Sequence, residues 1–573
     1  MDRDFFQEMS HGRLVLLLGV LAYFFLMFGN GIVSLTHPDE VFYVQSAKEM
    51  LARRSWWTPV IFDEPHFEKP IFFFWLLTLG IKVFGLSPFV ARFWPAFFGI
   101  LGVGATYAMA WMLFERKGTA FLSGFILMSS FIYLALSRAV LTDMVFSIWV
   151  TASIAFFYWG YKFPRRKTRG VILSFAASAI AVLTKGILGF VFPAAVVLVF
   201  LVYNKDLAFL KNKGTAAGVF LFLVIALPWH ISMYQQYGDT FIREYFYNVH
   251  IRRLLAAEHL KLDNWYFYPG LIFAGILPWS FFWIPAAVSA YKKLMQKPEA
   301  DPPVAPPWAK KRDRRDQIFF LLAWIVGIFA FVQPAHSKLA SYVFPVFPAV
   351  AILIASYLDE DMEDLQAKKA SKVLAVCGYI FCVFLAGVSA AALVAGKIYM
   401  DILINLRPVF IFSALSLLLA VLVFVFNLKR HYIQMLFSCA GITVLLLVTA
   451  FLAKPYIEPW VSCKDVSDLF KTMDHSDSVV MTSKFYVRGI RFYTDRKTAV
   501  IDINGKGFFS PHPVAFLNTD EKVLAMLASQ PVTYAIVKKG NIHDLKRITR
   551  GHPYRLEELG GSAGKYIIRI EKI

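Results

Sequence analysis

Apolar runs long enough to cross a bilayer recur throughout this chain, and they limit its fold more than any other feature. Fourteen of them begin near residues 13, 70, 90, 118, 143, 170, 187, 215, 268, 317, 339, 372, 408 and 433. A transmembrane helix needs about 20 predominantly apolar residues. The 573-residue chain is 58% hydrophobic with a mean hydropathy of +0.56, which excludes a soluble protein of this length. The runs therefore predict an α-helical polytopic membrane protein.

The basic residues indicate which side of the membrane each loop occupies. The net charge is +20, but Lys and Arg occur in short patches between apolar runs, a distribution that argues against a nucleic-acid partner. Strong patches at 161–170 and 291–316 are assigned to the cytoplasm by the positive-inside rule. The run at 70–86 is short and is followed by Ser87-Pro88, so we predict that it lies at the interface. About thirteen transmembrane helices remain, with the C-terminus outside.

The composition changes after residue 454. Short β-rich segments follow, namely SVVMTS, TAVIDI, VTYAIVKK and KYIIRIEKI, separated by turn residues and helix-like pieces. This pattern is typical of a small α/β domain. We therefore divide the chain into a transmembrane catalytic domain, residues 1–454, and an extracytoplasmic α/β domain, residues 455–573. The first of these includes an outer loop at 36–89 with juxtamembrane helices.

The predicted topology brings the chemically reactive side chains to one face of the membrane. A carboxylate can accept the proton of an incoming hydroxyl group, and cations can stabilise a departing phosphate. Asp39 and Asp143 are candidate bases or orienting groups. The candidate phosphate-binding cations are Lys69, Lys185, Lys338 and Arg253. The pattern favours transfer of a group from a donor held by a lipid phosphate, since the sequence contains no nucleotide-binding motif.

Several of these residues also have a structural interpretation. Asp39 could cap the helix that begins EVFYV, and Asp143 could simply lie at a helix N-terminus. Lys185 and Lys338 could extend from helix ends to the membrane surface, and His250 could be an ordinary loop histidine. Their clustering on one face favours function, because charges at the edge of the membrane are costly.

The order of several motifs reveals a resemblance to a known family. These motifs are PDE…AKEML, FEKPIFFFW, AVLTDMVFSIW, LTKGILGFVFP, LPWHISMY, FYNVHIRRLL, GILPWSFFWIP and SKLASYVFPVFP. Together they resemble the ArnT family, membrane transferases that move aminoarabinose from undecaprenyl phosphate to lipid A. That family belongs to the GT-C glycosyltransferases, alongside the protein O-mannosyltransferases. The resemblance implies a GT-C fold in the bacterial inner membrane with a periplasmic active site. The implied partners are a polyprenyl-phosphate sugar, lipid A or another envelope acceptor, and membrane lipids.

The resemblance also implies roles for individual residues. Asp39 matches the proposed catalytic carboxylate, and Asp143 matches an acid that supports the site; we include the neighbouring Glu40 with them. Lys69 and Arg253 match residues that contact the donor phosphate, and we add Lys185 and Lys338 to this set. Tyr342 matches a tyrosine of the lipid-carrier pocket. Glu68 and His250 match two residues that bind a zinc ion. Because two protein ligands are fewer than a closed structural zinc site uses, we expect Zn²⁺ to organise the site rather than to activate water.

Two positions depart from the family pattern. Phe42 stands where the family favours arginine, within DExRY, and His66 stands where it favours tyrosine, two residues before the glutamate of EKP. We expect both to line the sugar pocket, so the sugar stays open between aminoarabinose and a related pyranose.

Two alternative functions place different demands on the sequence. A protein O-mannosyltransferase would share the first-loop acid but usually has HPPLGK where this chain has FEKPIF. A lipid or sugar transporter would need polar groups near the bilayer midplane and usually repeated halves, and the sequence has neither.

Overall fold

The computed structural model describes residue 6 and residues 8–256, 263–296, 314–366, 372–399, 405–508 and 513–573. The chain divides into two compact units. The first comprises Met1–Phe28, Arg92–Gly238 and His250–Ala450, and the second comprises Gly29–Ala91, Asp239–Val249 and Phe451–Ile573. The second unit thus contains the predicted outer loop together with the C-terminal domain.

The first unit is built from helices. The α-helices that lie wholly or mainly in it are His11–Ala22, Pro88–Phe114, Lys117–Ser129, Phe131–Ser137, Thr142–Lys162, Lys167–Lys185, Leu188–Tyr203, Lys213–Phe241, Arg252–Leu255, Phe267–Gly275, Ser280–Met295, Arg314–Val332, Phe347–Gln366, Val373–Ile398, Arg407–Leu428 and Tyr432–Leu452. Within the described ranges, nine helices are long and apolar enough to cross a membrane, or up to 11 if each of two bent pairs is one span. Each of the thirteen apolar runs assigned to the membrane coincides with a helix or a bent pair. The number thirteen itself stays a prediction, because two of those helices, His11–Met27 and Leu188–Tyr203, are shorter than the rest.

Two neighbouring helices of the first unit form a close antiparallel pair. Thr142–Lys162 and Lys167–Lys185 are joined by a short turn, and glycines face each other near it. A Cβ atom added at Gly170 would lie 2.5 Å from Cα of Gly160, so the approach requires glycine. Because the helices run in opposite directions, residues at the start of the first and at the end of the second come together.

The helix Phe72–Phe84 of the second unit fits the interfacial prediction. Its 13 residues span about 20 Å, less than the bilayer core of about 30 Å. Leu79, Val83 and Phe84 are exposed, as expected for a helix that rests its apolar face on lipid.

The remaining helices of the second unit flank its loop and its C-terminal domain. They are Asp39–Ala52, Lys454–Val461, Lys464–Met473, Val487–Thr494, Asp520–Ala528 and Lys539–Thr549. We call the first the Asp39 helix and the fourth the Val487 helix. A short hairpin, β1 (Val60–Ile61) with β2 (Glu64–Pro65), follows the Asp39 helix.

A six-stranded sheet forms the centre of the C-terminal domain. Its strands are β3 (Val480–Ser483), β4 (Thr498–Ile501), β5 (Ala515–Leu517), β6 (Val532–Val537), β7 (Tyr554–Ser562) and β8 (Lys565–Lys572). Their order is β5-β4-β3-β6-β8-β7; the first four strands are parallel, and β8 is antiparallel to both of its neighbours, β6 and β7. All four residues of β3 are buried, as in a strand covered on both faces. The predicted helical membrane protein with a small C-terminal α/β domain is confirmed, and each of the four predicted β-rich segments contains a strand.

Candidate functional site

In the first unit, Asp143 and Lys185 form a buried ion pair. The antiparallel helices described above place Asp143 near the start of one and Lys185 at the end of the other. The ammonium group donates to the Asp143 carboxylate, and both side chains are 8% exposed. Lys185 Nζ also lies 4.9 Å from the ring centroid of Tyr342, within the range of a cation–π contact. These contacts contradict the alternative in which Lys185 extends to the membrane surface.

Lys338, also in the first unit, is balanced by an acid that sequence reasoning missed. Its buried ammonium group donates to Asp263 Oδ1 at 2.8 Å and to the Ala335 carbonyl at 2.9 Å. His336 Nδ1 lies 2.7 Å from the other carboxylate oxygen. The hydrogen bonds from Lys338 and His336 hold the pKa of Asp263 below its ordinary value. Lys338 is therefore an internal ion-pair partner, and a phosphate would have to share it with Asp263.

Two predicted site residues have side chains outside the described part of the chain. These are Arg253, expected at the donor phosphate, and His250, expected at zinc. Their backbones lie in the helical segments Arg252–Leu255 and Ile242–Ile251. Both roles stay predictions.

In the second unit, the Asp39 helix separates its two leading acids. Asp39 is in the first turn of the helix, one residue after Pro38, which occupies the N-cap position. The Asp39 side chain is 67% exposed, and Oδ1 lies 3.7 Å from Nη1 of Arg488. Glu40 is buried, and its carboxylate accepts hydrogen bonds from the backbone N–H and the hydroxyl of Thr36, each at 2.9 Å. Glu40 therefore stabilises the turn before the helix, and its predicted catalytic role stays a prediction.

The two positions that depart from the family pattern lie against each other. The rings of Phe42 and His66 are 5.2 Å apart between centroids, and both residues are buried. Ser46 Oγ lies 3.0 Å from Nε2 of His66. The Arg488 guanidinium lies 4.5 Å from the Phe42 ring centroid. An arginine side chain is thus present next to Phe42, but it belongs to Arg488 of the Val487 helix. No local sequence signal identifies it.

Lys69 and Glu68 occupy the loop after β2. Lys69 is buried and donates to the Glu68 carbonyl at 3.0 Å. The Glu68 carboxylate is half-buried and close enough to Glu244 for the two charges to repel each other, while the charge of Arg243 offsets that of Glu244. Among the described residues, no group of three His, Cys, Asp or Glu side chains could hold a metal ion. Zinc at Glu68 and His250 accordingly stays a prediction.

Acid–base pairs connect the outer loop to the Val487 helix within the second unit. Lys48 pairs with Asp495 at 2.5 Å, and Asp63 accepts from Arg491 at 2.8 Å. The hydrogen bond from Arg53, together with the charge of Arg491, holds the pKa of Asp63 below its ordinary value. These contacts fix the helix beside the candidate carboxylate.

His37 is buried where the outer loop meets the C-terminal domain. Its ring lies 4.9 Å from that of Phe485, and Nδ1 lies 3.5 Å from Sγ of Cys463. Burial, reinforced by the charge of Lys565, lowers the pKa of His37 to about 4. Burial also raises the pKa of Cys463 to about 12, so the imidazole and the thiol are both uncharged at neutral pH.

This environment predicts loss of stability on mild acidification. An unfolded histidine binds a proton near pH 6.5, whereas folded His37 resists protonation down to about pH 4. The unfolded state then binds more protons over this interval. The contribution of His37 to the free energy of unfolding is therefore fully present above pH 6.5 and falls by about 1.4 kcal/mol per pH unit between pH 6.5 and about pH 4. His37→Asn should flatten this dependence in thermal unfolding of the purified protein. The exposed His475 is the control, and an equal flattening by His475→Asn would contradict the explanation.

Comparison with known proteins gives a consistent set of relatives. The model of the dolichyl-phosphate-mannose-protein mannosyltransferase family matches residues 13–240. An uncharacterized protein of Aquifex aeolicus (strain VF5) is 30% identical over 511 residues, 87% of this chain and 92% of that protein. The undecaprenyl phosphate-alpha-4-amino-4-deoxy-L-arabinose arabinosyl transferase 2 of Proteus mirabilis (strain HI4320) is 29% identical over 350 residues. This match covers 60% of the present chain and 59% of the Proteus protein.

Solved structures share the fold. The crystal structure of ArnT from Cupriavidus metallidurans bound to undecaprenyl phosphate superimposes with a TM-score of 0.74 at 19% identity, covering 98% of each chain. The archaeal oligosaccharyltransferase AglB from Archaeoglobus fulgidus gives a TM-score of 0.53 at 11% identity, covering 93% of this chain and 70% of that one. The fold and these relatives define a membrane glycosyltransferase of the GT-C class. Within that class, the chain is similar to the arabinosyl transferases over about 60% of its length and shares the fold of a solved ArnT, as the order of its motifs predicted.

Proposed function

We propose that this protein transfers a sugar from a polyprenyl phosphate, in bacteria undecaprenyl phosphate, to lipid A or another envelope acceptor. The observation that carries the proposal is the separation of acids in the Asp39 helix. Glu40 and Glu49 are buried and accept hydrogen bonds from neighbouring groups, whereas Asp39 is exposed. An exposed carboxylate can meet the hydroxyl group of an incoming acceptor, as a general base must.

The remaining polar residues have roles in binding the donor. The leaving phosphate needs positive charge rather than a proton, because it departs as an anion. Lys69, Lys185, Lys338 and Arg253 supply that charge in the proposal. Asp143 orients Lys185 through their ion pair, and Tyr342, whose ring lies against the same ammonium group, lines the carrier-lipid pocket. A Zn²⁺ ion at Glu68 and His250 would organise these loops.

The pair Phe42–His66 favours a donor with different polar demands from aminoarabinose. Phenylalanine can stack or exclude water but offers no hydrogen bond, and the His66 Nε2 atom already contacts Ser46. A pyranose that lacks the amine is one candidate. If the native protein instead uses undecaprenyl-phosphate aminoarabinose as its best donor, the two departures carry no specificity.

The decisive experiment is a transfer assay with purified protein. Several undecaprenyl-phosphate sugars would be incubated with lipid A, and the products would be identified by mass spectrometry, with Asp39→Asn as the matched inactive variant. Sugar-bearing lipid A that depends on Asp39 supports the proposal. A serine- and threonine-containing protein acceptor tests the alternative of protein O-mannosylation, which the match to that family's model at residues 13–240 favours. Mannose on the protein and none on lipid A would replace the first proposal with the second.

The proposed periplasmic orientation predicts the labelling of two positions. Ser87 follows the helix Phe72–Phe84, and Thr168 lies in the basic patch at 161–170. In intact cells, a membrane-impermeant thiol reagent should label Ser87→Cys but not Thr168→Cys, which should react only after the membrane is opened. The native cysteines are buried or half-buried, so their background should be low. Labelling of position 168 in intact cells would reverse the orientation.

A further inference from the structure

Arg488 brings a charge from the C-terminal domain to the candidate base. It lies in the first turn of the Val487 helix, and its Nη1 atom is 3.7 Å from Oδ1 of Asp39. The Arg488 side chain is 16% exposed, whereas that of Asp39 is 67% exposed. The guanidinium therefore reaches the carboxylate from the protein side, while the carboxylate faces the solvent.

A buried aromatic pair lies against this guanidinium. The Arg488 guanidinium lies over the Phe42 ring, 4.5 Å from its centroid, and the buried Phe42 ring in turn contacts His66, with 5.2 Å between ring centroids. A guanidinium has its donors in one plane, so a ring beneath it restricts the directions in which those donors point. The Asp39 carboxylate thus lies beside the Arg488 guanidinium, which is itself packed against Phe42.

Other contacts attach the Val487 helix without Arg488. Lys48 pairs with Asp495 beyond the end of the helix, and Arg491 pairs with Asp63 from the next turn. Gly489 allows close backbone approach, since a Cβ atom there would lie 2.7 Å from Sγ of Cys463. The helix should therefore stay in place when Arg488 is replaced, which separates a role in positioning from a role in folding.

We infer that Arg488 is a positioning residue of the transfer reaction: it fixes the direction of the Asp39 carboxylate and so makes the C-terminal domain a part of the reaction machinery. This role rests on the proposed function, because it requires Asp39 to act as the base. A base must meet the acceptor hydroxyl within hydrogen-bonding distance, and misplacement by about 1 Å can cost on the order of a hundredfold in rate.

The test compares two arginines of the same helix. Arg488→Gln should lower kcat by about tenfold or more with little change in the KM for the donor, because it disturbs the base rather than donor binding. Arg488→Lys, which keeps the charge, should recover part of the loss. Arg491→Gln is the matched control and should leave kcat within about threefold, because Arg491 pairs with Asp63 rather than with the candidate base, and the Lys48–Asp495 pair still holds the helix. Thermal unfolding of each variant confirms that the rates refer to folded protein.

A double-mutant cycle distinguishes action through Asp39 from any other cause. If Arg488 acts through the carboxylate, Arg488→Gln should have no further effect on kcat in the Asp39→Asn background. An equal loss in both backgrounds, an effect on KM alone, or equal losses from Arg488→Gln and Arg491→Gln would overturn the inference while leaving wild-type transfer intact. Absence of transfer by the wild-type protein would instead overturn the proposed function, and this role with it.

Discussion

Asp39→Asn is expected to lower sugar transfer by about a hundredfold or more, the scale of losing a general base, without unfolding the protein. Asparagine has nearly the same shape as aspartate, and Asp39 is exposed and lies outside the N-cap position, which Pro38 occupies, so the replacement should leave the helix intact. The measurement is kcat for the best donor, with thermal unfolding as the check on folding.

Glu40→Gln provides the comparison within the same turn. A glutamine carbonyl can still accept the two hydrogen bonds from Thr36, so we expect a much smaller loss than at Asp39. A hundredfold loss at Glu40 alone would move the base to that residue. Wild-type rates for Asp39→Asn would remove Asp39 from the reaction, unless the acceptor is already an anionic phosphate that needs no deprotonation.

Lys185→Met should have the largest effect on stability. It leaves the Asp143 carboxylate, 8% exposed, without its lysine, and breaking a buried ion pair from one side costs about 3–5 kcal/mol. The loss should appear as a lower unfolding temperature of the purified protein. Replacing both partners, by Lys185→Met with Asp143→Leu, should recover most of that stability, because no unbalanced charge remains buried.

The double replacement also separates stability from function. If Lys185 contacts the donor phosphate, the double variant should regain its unfolding temperature but not its transfer activity. Return of both together would make the pair purely structural. An unchanged unfolding temperature for Lys185→Met alone would show that the ion pair contributes nothing to the folded state.

The sequence predicts the helices well because a bilayer leaves few alternatives. A chain in lipid must satisfy its backbone hydrogen bonds within each segment, so apolar runs and basic patches suffice to find the helices. The topology predicted from the sequence places Asp143 and Lys185 on one face, and the structure shows them in contact. The sheet was less accessible: β7 and the three-residue β5 were missed, since a strand that contains two glycines, such as β7, lacks the usual signal.

Pairings between distant residues could not be predicted from one sequence. Nothing near Arg488 distinguishes it from Arg491, and its role emerges only when the Val487 helix meets the Asp39 helix. Asp263 was missed for the same reason. Glu40 had no usable signal either, because Thr36 and Glu40 are four residues apart, one more than the spacing of a capping box.

The glycine at position 489 limits how freely the C-terminal domain can be exchanged. The backbone at Gly489 lies against Cys463 and His37. The contact between the outer loop and the domain therefore has no room for even one additional methyl group at this position. A chimera that received residues 455–573 from a relative would inherit a surface shaped for another loop. The two segments are therefore expected to be interchangeable only as one block, although more than 350 residues of intervening sequence separate them along the chain.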